Sequence, residues 1–290
     1  MRDLHQQKLS MEDFNRLARL VCQTAGINFT VAKHAMVEGR VRKRLKATSI
    51  ETYKEYLDYV VSAQGGDEAI RLIDCLTTNK TNFFRESQHF DYMIDHLLPR
   101  LAEEGVGRHR PLRIWSAGCS SGEEPYTLAM ILEEWNQHHA VMDFEIHATD
   151  ISLSALKKAS LAIYTEQDVK PISLALRRKY LLRSLADENV IKIAPRVKKH
   201  VSFARLNFQD ADYVLPSSFD IIFCRNVLIY FNKDVVERVI NRLCVALVAQ
   251  GSLFLGHSES IHGLNVPLDT VSPTTYQKRL GRTKLRVEAQ

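Results

Sequence analysis

Residues 112–124, LRIWSAGCSSGEE, join a short apolar run to a glycine–serine turn and then to a helix start. In doubly wound α/β proteins that junction holds nucleotides. The spacing of Gly118 and Gly122 departs from G-x-G-x-x-G, and a pyrophosphate seated on the helix N-terminus would meet Glu123 and Glu124. These acids repel phosphate and favour a cofactor that carries a cation. The common nucleoside of that description is S-adenosylmethionine, with its ammonium and sulfonium. The same two acids also suit the positive end of a helix dipole, so the turn by itself leaves both readings open.

Further polar residues stand at the ends of the next apolar runs. Asp150 is placed where a carboxylate accepts both ribose hydroxyls, and it is equally suited to capping a helix that starts at Ser152. Asn207 can pair with the edge of an adenine. Arg225 and Asn226 end the following run, at the crevice outside the carboxyl ends of the strands. Four strand ends converging on one crevice point to a nucleoside cofactor more firmly than any one of them does.

Competing chemistries are weaker. Residues 256–260, GHSES, approach the G-x-S-x-G nucleophile elbow, but the last glycine is a serine and the later His262 precedes Asp269, the wrong order for that triad. The eleven histidines include no H-E-x-x-H, and the five cysteines are scattered with no C-x-x-C, so neither a metal nor a disulfide framework is expected.

These residues need elements to hold them. The first hundred residues show helical periodicity: a helix capped by Ser10 and ended by Gly26, a second from about Val31, a third striped by Tyr53, Tyr56, Leu57 and Val60, a fourth over 67–76, and a fifth over 87–105, disturbed at Pro99. Beyond 105–111 the pattern becomes short apolar runs alternating with helices, the signature of a mostly parallel sheet. Strands are predicted at 112–116, 144–149, 201–206, 220–224 and 252–255, helices at 123–136, 152–162 and 234–247, and a hairpin at 270–279. Residues 163–200 exceed what this alternation needs. They read as an inserted subdomain with a helix near 172–182 and β-like runs at 190–193 and 196–199. The predicted fold is therefore α/β, a Rossmann-like sheet with a small inserted β-subdomain, preceded by an all-α domain. The predicted divisions are 1–86, a linking helix and linker over 87–110, a sheet domain over 111–284, and a tail over 285–290.

Composition agrees with two globular domains: 290 residues, 45% hydrophobic and 25% charged. The longest apolar run, 243–249, is far too short for a bilayer, and residues 1–8 hold no signal-type apolar segment, so a cytoplasmic protein is expected. The net charge of +5 is matched by residues 31–46 alone, where six Lys and Arg face only Glu38. Arg40, Lys43 and Arg44 share one face of that helix, opposite Val37, Val41 and Leu45. This face is either simply solvated or meets an anionic partner, a nucleic acid or an acidic protein. Aromatic residues are not interleaved with it, which disfavours single-stranded nucleic acid.

Four motifs in order, TTNKTNFFR at 77–85, WSAGCSSGEEPY at 115–126, FCRNVLIYF at 223–231 and GHSE at 256–259, resemble the bacterial chemotaxis receptor methyltransferase family, CheR, over about residues 10–280. The resemblance implies an S-adenosylmethionine-dependent O-methyltransferase that converts receptor glutamates to γ-methyl esters. It also implies cofactor contacts at Asn79, Thr81, Arg85, Glu124 ahead of Glu123, Asp150, Asn207, Phe208, Arg225 and Asn226, with Tyr230 beside the transferred methyl. The helical domain would recognise the receptor through Arg40, Lys43 and Arg44. Members that dock on a receptor pentapeptide carry a glycine-rich loop in the insert. No glycine lies between Gly122 and Gly251 here, so methylation without that tether is expected, by a monomer acting on the methylation helices.

A glutamate acceptor has a pKa near ~4.3 and is already a nucleophile at neutral pH, so no general base is needed. Arg85 and Tyr230 are expected to orient it. A nucleic-acid or other protein methyltransferase, and a cofactor-binding regulator without turnover, are the alternatives.

Overall fold

The computed structural model describes residues 8–280; the amino-terminal segment lacking an apolar stretch and the tail at 285–290 fall largely or wholly outside these residues. Helix α1 (Met11–Ala25) starts where the Ser10 hydroxyl accepts the Asp13 N–H at 3.0 Å and stops at Gly26, whose φ of 75° turns the chain out of the helix. Helices α2 (His34–Thr48), α3 (Tyr53–Val61) and α4 (Gly66–Leu76) follow, and their apolar stripes close one core around Phe14, Val41, Tyr56 and Leu72.

The fifth predicted helix is divided. Helix α5 (Gln88–Tyr92) passes through a π-turn at Met93–Leu97 into α6 (Leu98–Glu103). Pro99 does not break it; the disturbance lies one turn earlier. Proline lacks an N–H and crowds the carbonyl four residues before it, and the widened turn, in which the Leu98 N–H reaches the Met93 carbonyl, relieves that crowding. Phe90, Met93, Leu97 and Leu101 pack into the same core as Ile114 and Phe144 of the sheet.

The sheet contains β1 (Leu112–Ala117), β2 (Phe144–Asp150), β6 (Val201–Arg205), β7 (Phe219–Cys224), β8 (Leu247–Leu255), β9 (Leu268–Ser272) and β10 (Thr275–Lys278). Its order is β6-β2-β1-β7-β8-β10-β9: five parallel strands, then the antiparallel hairpin. Helices α7 (Glu123–His138), α8 (Leu153–Leu161) and α12 (Lys233–Ala246) flank it. The strand order reverses between β1 and β7, the switch point at which a crevice opens beyond the carboxyl ends.

The insert forms a second sheet, β3 (Ile163–Tyr164), β5 (Ile191–Ile193) and β4 (Leu181–Arg183) in that spatial order and antiparallel, with helical turns α9 (Glu166–Val169) and α10 (Leu174–Tyr180). Residues 196–199, predicted as β-like, instead belong to a short helix, α11 (Pro195–Lys198). Pro195 occupies its first position, where a missing N–H costs nothing. Among the described residues no helix is long and apolar enough to cross a membrane.

Candidate functional site

A cavity of about 540 Å³ lies where the helical domain covers the carboxyl ends of β1, β2, β6 and β7. Its floor is the turn after β1. Gly118 and Gly122 take φ values of 88° and 95°, and a Cβ on Gly118 would come within 2.4 Å of Val227. The insert supports the turn from behind, through the Tyr164 hydroxyl donating to the Ser121 carbonyl at 2.7 Å. The two glutamates that follow go different ways. Glu124 lines the cavity, accepting from the Ser116 hydroxyl at 2.7 Å and from Arg225 Nε at 2.7 Å. Glu123 does not line it; it accepts from the Ser121 hydroxyl and lies 3.8 Å from Lys158, with burial raising its pKa. Of the two glutamates the sequence offers for a cofactor, Glu124 is the one at the cavity.

Asp150 ends β2 against the cavity. One oxygen accepts the Ser120 N–H and the other the Ser152 N–H, both at 2.8 Å, and each keeps lone-pair capacity for ribose. The cap of α8 is Ser152 itself, whose hydroxyl accepts the Ala155 N–H at 3.1 Å, so the capping role expected of Asp150 falls to its neighbour. Burial pushes its carboxyl up, opposed by those backbone donors. Ser120 Oγ, also at the cavity, is buried without a hydrogen-bond partner. Asp74 of α4 accepts from the Ser152 hydroxyl at 2.5 Å and from the Ser154 N–H at 3.1 Å, and Asn79 Nδ2 donates to Ser152 Oγ at 3.0 Å. The helical domain thus anchors the start of α8 beside Asp150.

Thr81, Asn207 and Phe208 also line the cavity. Asn207 is partly engaged already, its Nδ2 donating to the Thr24 carbonyl at 2.6 Å and its Oδ1 accepting from the Gln209 N–H at 3.0 Å. One N–H and one lone pair remain for a ligand edge.

Arg225 is buried and braces the site. Besides Glu124 it holds the Arg85 carbonyl at 2.8 Å and meets His89 Nδ1 at 3.1 Å. Burial, reinforced by the Arg225 charge, lowers the His89 pKa to about 4, so the imidazole is neutral at pH 7. Burial raises the Glu86 carboxyl, but the Asn226 amide and the Arg225 guanidinium outweigh it and hold it below its ordinary value. Glu86, His89 and His257 bring ligand atoms within 4.8 Å of one another, yet a cation there would face the Arg225 guanidinium. Arg85 and Tyr230 both line the cavity, and the Tyr230 hydroxyl has no hydrogen-bond partner among the described residues.

The basic face of α2 is not what its sequence suggests. Arg40 Nη1 donates to the Leu76 and Thr77 carbonyls, both at 2.7 Å, closing the end of α4. Arg44 forms a bidentate pair with buried Glu68 at 2.9 and 2.8 Å, and the Tyr56 hydroxyl joins the same carboxylate at 2.7 Å. Only Lys43 of the predicted trio is fully exposed. None of the three lines the cavity, whereas Lys33, Lys80 and Arg85 do.

Sequence reasoning missed Ser120, Asp74, Glu86 and Lys33 as parts of this site. It also took Ser258 as the residue to weigh in GHSES. Ser258 is exposed, and the buried side chain of that segment is that of Glu259.

The chain matches two families, CheR methyltransferase, SAM binding domain, over residues 79–277, and CheR methyltransferase, all-alpha domain, over residues 12–77. It is 39% identical over 272 residues to the chemotaxis protein methyltransferase of Borreliella burgdorferi, covering 93% of this chain and 95% of that protein. The chemotaxis protein methyltransferase of Salmonella typhimurium is 36% identical over 261 residues, 89% of this chain and 88% of its own. That of Escherichia coli is 34% identical over 273 residues, 93% and 92%. The chain belongs to the CheR methyltransferase family, and its larger domain is the S-adenosylmethionine-binding part.

Proposed function

We propose that this CheR-family methyltransferase transfers the methyl group of S-adenosylmethionine to glutamate side chains of membrane chemoreceptors, working in the cytoplasm as a monomer. The observation that carries this reading is the cavity itself: the acids Glu124 and Asp150 line the same space as Arg85 and Tyr230, with residues of the helical domain completing its wall.

The residues present suit the cofactor. Asp150 retains acceptor capacity for ribose hydroxyls, Glu124 offers a carboxylate to an ammonium, Ser120 has an unpartnered hydroxyl, and Asn207 and Phe208 offer an edge and a face to a base. When bound, S-adenosylmethionine supplies an electrophilic methyl group. The chain's task is to orient an acceptor carboxylate that is already ionised near neutral pH. Arg85 and the Tyr230 hydroxyl are the groups for that, and a modest number of charges suffices, because attraction between carboxylate and cation fades toward the transition state. Thr81 and Asn79 complete the wall between the domains, Arg225 supports Glu124, and Asn226 shapes the turn leading to Tyr230.

Receptor contact is assigned to the helical domain, residues 1–86, joined through 87–110 to a catalytic domain over 111–284 with its insert at 163–200. Within it, Lys33 and Lys80 at the cavity replace Arg40 and Arg44, whose guanidinium groups are held internally. Methylation without a pentapeptide tether rests on the missing glycines.

The test is transfer of labelled methyl to receptor-containing membranes, followed by mild base. Release of the label as methanol supports a carboxyl ester. Base-stable label, or incorporation into RNA instead, would sink the reading.

A further inference from the structure

Glu259 takes no part in the chemistry outlined above, yet its carboxylate is buried at the rim of the crevice and accepts only from backbone. Oε2 receives the N–H groups of Gly256 at 2.6 Å and Asn226 at 2.9 Å. Oε1 receives those of Leu228 at 2.7 Å and Ile229 at 3.3 Å. Glu259 lies just beyond β8, and Leu255 at the end of that strand pairs with Cys224 at the end of β7. The side chain therefore reaches back from one strand end and gathers the chain leaving the neighbouring one.

That chain needs holding. Asn226 has a φ of 61°, a left-handed conformation that a non-glycine residue adopts at a cost. Its side chain is tied separately to Glu86 at 3.2 Å. Two residues later a 3₁₀ turn, Leu228–Tyr230, delivers Tyr230 to the cavity, and the Tyr230 carbonyl accepts the Asn28 N–H at 2.9 Å. The turn is thus fixed at its far end by the helical domain and at its near end by Glu259. Gly256 lets the two strands approach: a Cβ there would come within 2.5 Å of the Asn226 side chain and 2.8 Å of its backbone nitrogen.

We propose that Glu259 is a positioning residue for methyl transfer, its carboxylate fixing the 226–230 turn so that Tyr230 stands in register with the acceptor. Part of this rests on the role assigned to Tyr230 above. Only a carboxylate serves, because four N–H donors meet four lone-pair sites. The isosteric amide would turn an NH₂ toward two of those donors and leave them unsatisfied. Aspartate, one methylene shorter, cannot span the same four groups.

The experiment compares wild type with Glu259→Gln, using thermal unfolding as a control, S-adenosylhomocysteine titration, and receptor methylation kinetics. A loss of about 10- to 100-fold in kcat is expected, with KM for receptor and cofactor affinity moving less than about fivefold. In the same background, Tyr230→Phe should cost far less than it does in wild type. A folded Glu259→Gln protein with kcat within about threefold of wild type, or full multiplication of the two losses, overturns the proposal. Should Glu259→Gln not fold, Gly256→Ala displaces the same turn with Glu259 intact and must show the same kcat loss. If Tyr230→Phe is silent in wild type, the reading of Tyr230 fails independently. Fluorine NMR of a 3-fluorotyrosine at 230 then decides: a shifted or broadened line in Glu259→Gln supports the positioning role, and an unchanged line removes it.

Discussion

Two arginine–glutamate pairs, each built on a buried carboxylate, stand about as far apart in character as in sequence. Arg44 and Glu68, in the helical domain, form a closed set: one bidentate pair joined by a tyrosine hydroxyl, with neither residue lining the cavity. Arg225 and Glu124, under the crevice, form an open one: the carboxylate lines the cavity, Ser120 Oγ nearby has no hydrogen-bond partner, and Glu86 Oε2 has none beyond its 3.7 Å contacts with Arg225 and His89. The same chemical pair is a staple in one place and the wall of a binding site in the other. What separates them is whether the surrounding polar groups are already satisfied.

Breaking the closed pair should have the largest effect. Arg44→Glu leaves buried Glu68 beside a second negative charge, and a loss of ~3–5 kcal/mol in stability is expected, read by thermal unfolding. A normal melting curve with only a raised KM would make Arg44 a surface cation and dissolve the distinction.

Acid should separate the regions next. His89 has its pKa depressed from 6.5 to about 4, so the unfolded chain binds its proton first. Stability from the neutral imidazole is complete above pH 6.5 and is lost as pH falls toward about 4, amounting to ~3 kcal/mol. Glu68 is held below its ordinary value: burial opposes this, but Arg44 and Tyr56 outweigh it, so its contribution persists until lower pH. Hydrogen exchange across this range should therefore show the crevice loosening before the helical core. The reverse order would contradict the assignment.

Asp150→Ala should weaken S-adenosylhomocysteine binding by about tenfold to a hundredfold, ~1.5–3 kcal/mol, because a charged acceptor is removed from the open set. Calorimetry on the folded variant measures it, and unchanged affinity would reduce Asp150 to a brace between the Ser120 and Ser152 N–H groups. The smallest effect belongs to the exposed lysines. Lys33→Glu with Lys80→Glu should raise KM for receptor severalfold, an effect that added salt imitates on wild type, whereas Lys43→Glu should leave it unchanged. Equal responses from both sets would place the receptor on the α2 face after all.

Much of this architecture was legible because it depends on local order. The alternation of apolar runs and helices gave the sheet, and strand ends told where Asp150, Asn207, Arg225 and Asn226 gather, since fold topology brings those ends together whatever the rest does. Partners distant in sequence were not legible. Arg40 and Arg44 read as free cations because Glu68 and the Leu76 carbonyl that hold them lie on another helix. Lys198 and Val197 read as strand because a short apolar and basic run carries no period, and Pro195 is as suited to a helix start as to a strand edge. Glu259 was hidden differently: a glutamate whose partners are all backbone N–H groups leaves no complementary residue type to find.

The contacts across the cavity have a bearing on inheritance. Asp74 holds the start of α8, the Asn28 N–H holds the Tyr230 carbonyl, and Thr24 holds Asn207, so the amino-terminal helices form part of the cofactor's enclosure. Recombination between relatives at residue 78 or thereabouts would therefore not simply exchange one receptor preference for another. A hybrid whose donor lacks these three tethers should inherit a poor hold on its cofactor along with its new specificity, and the two halves must change together.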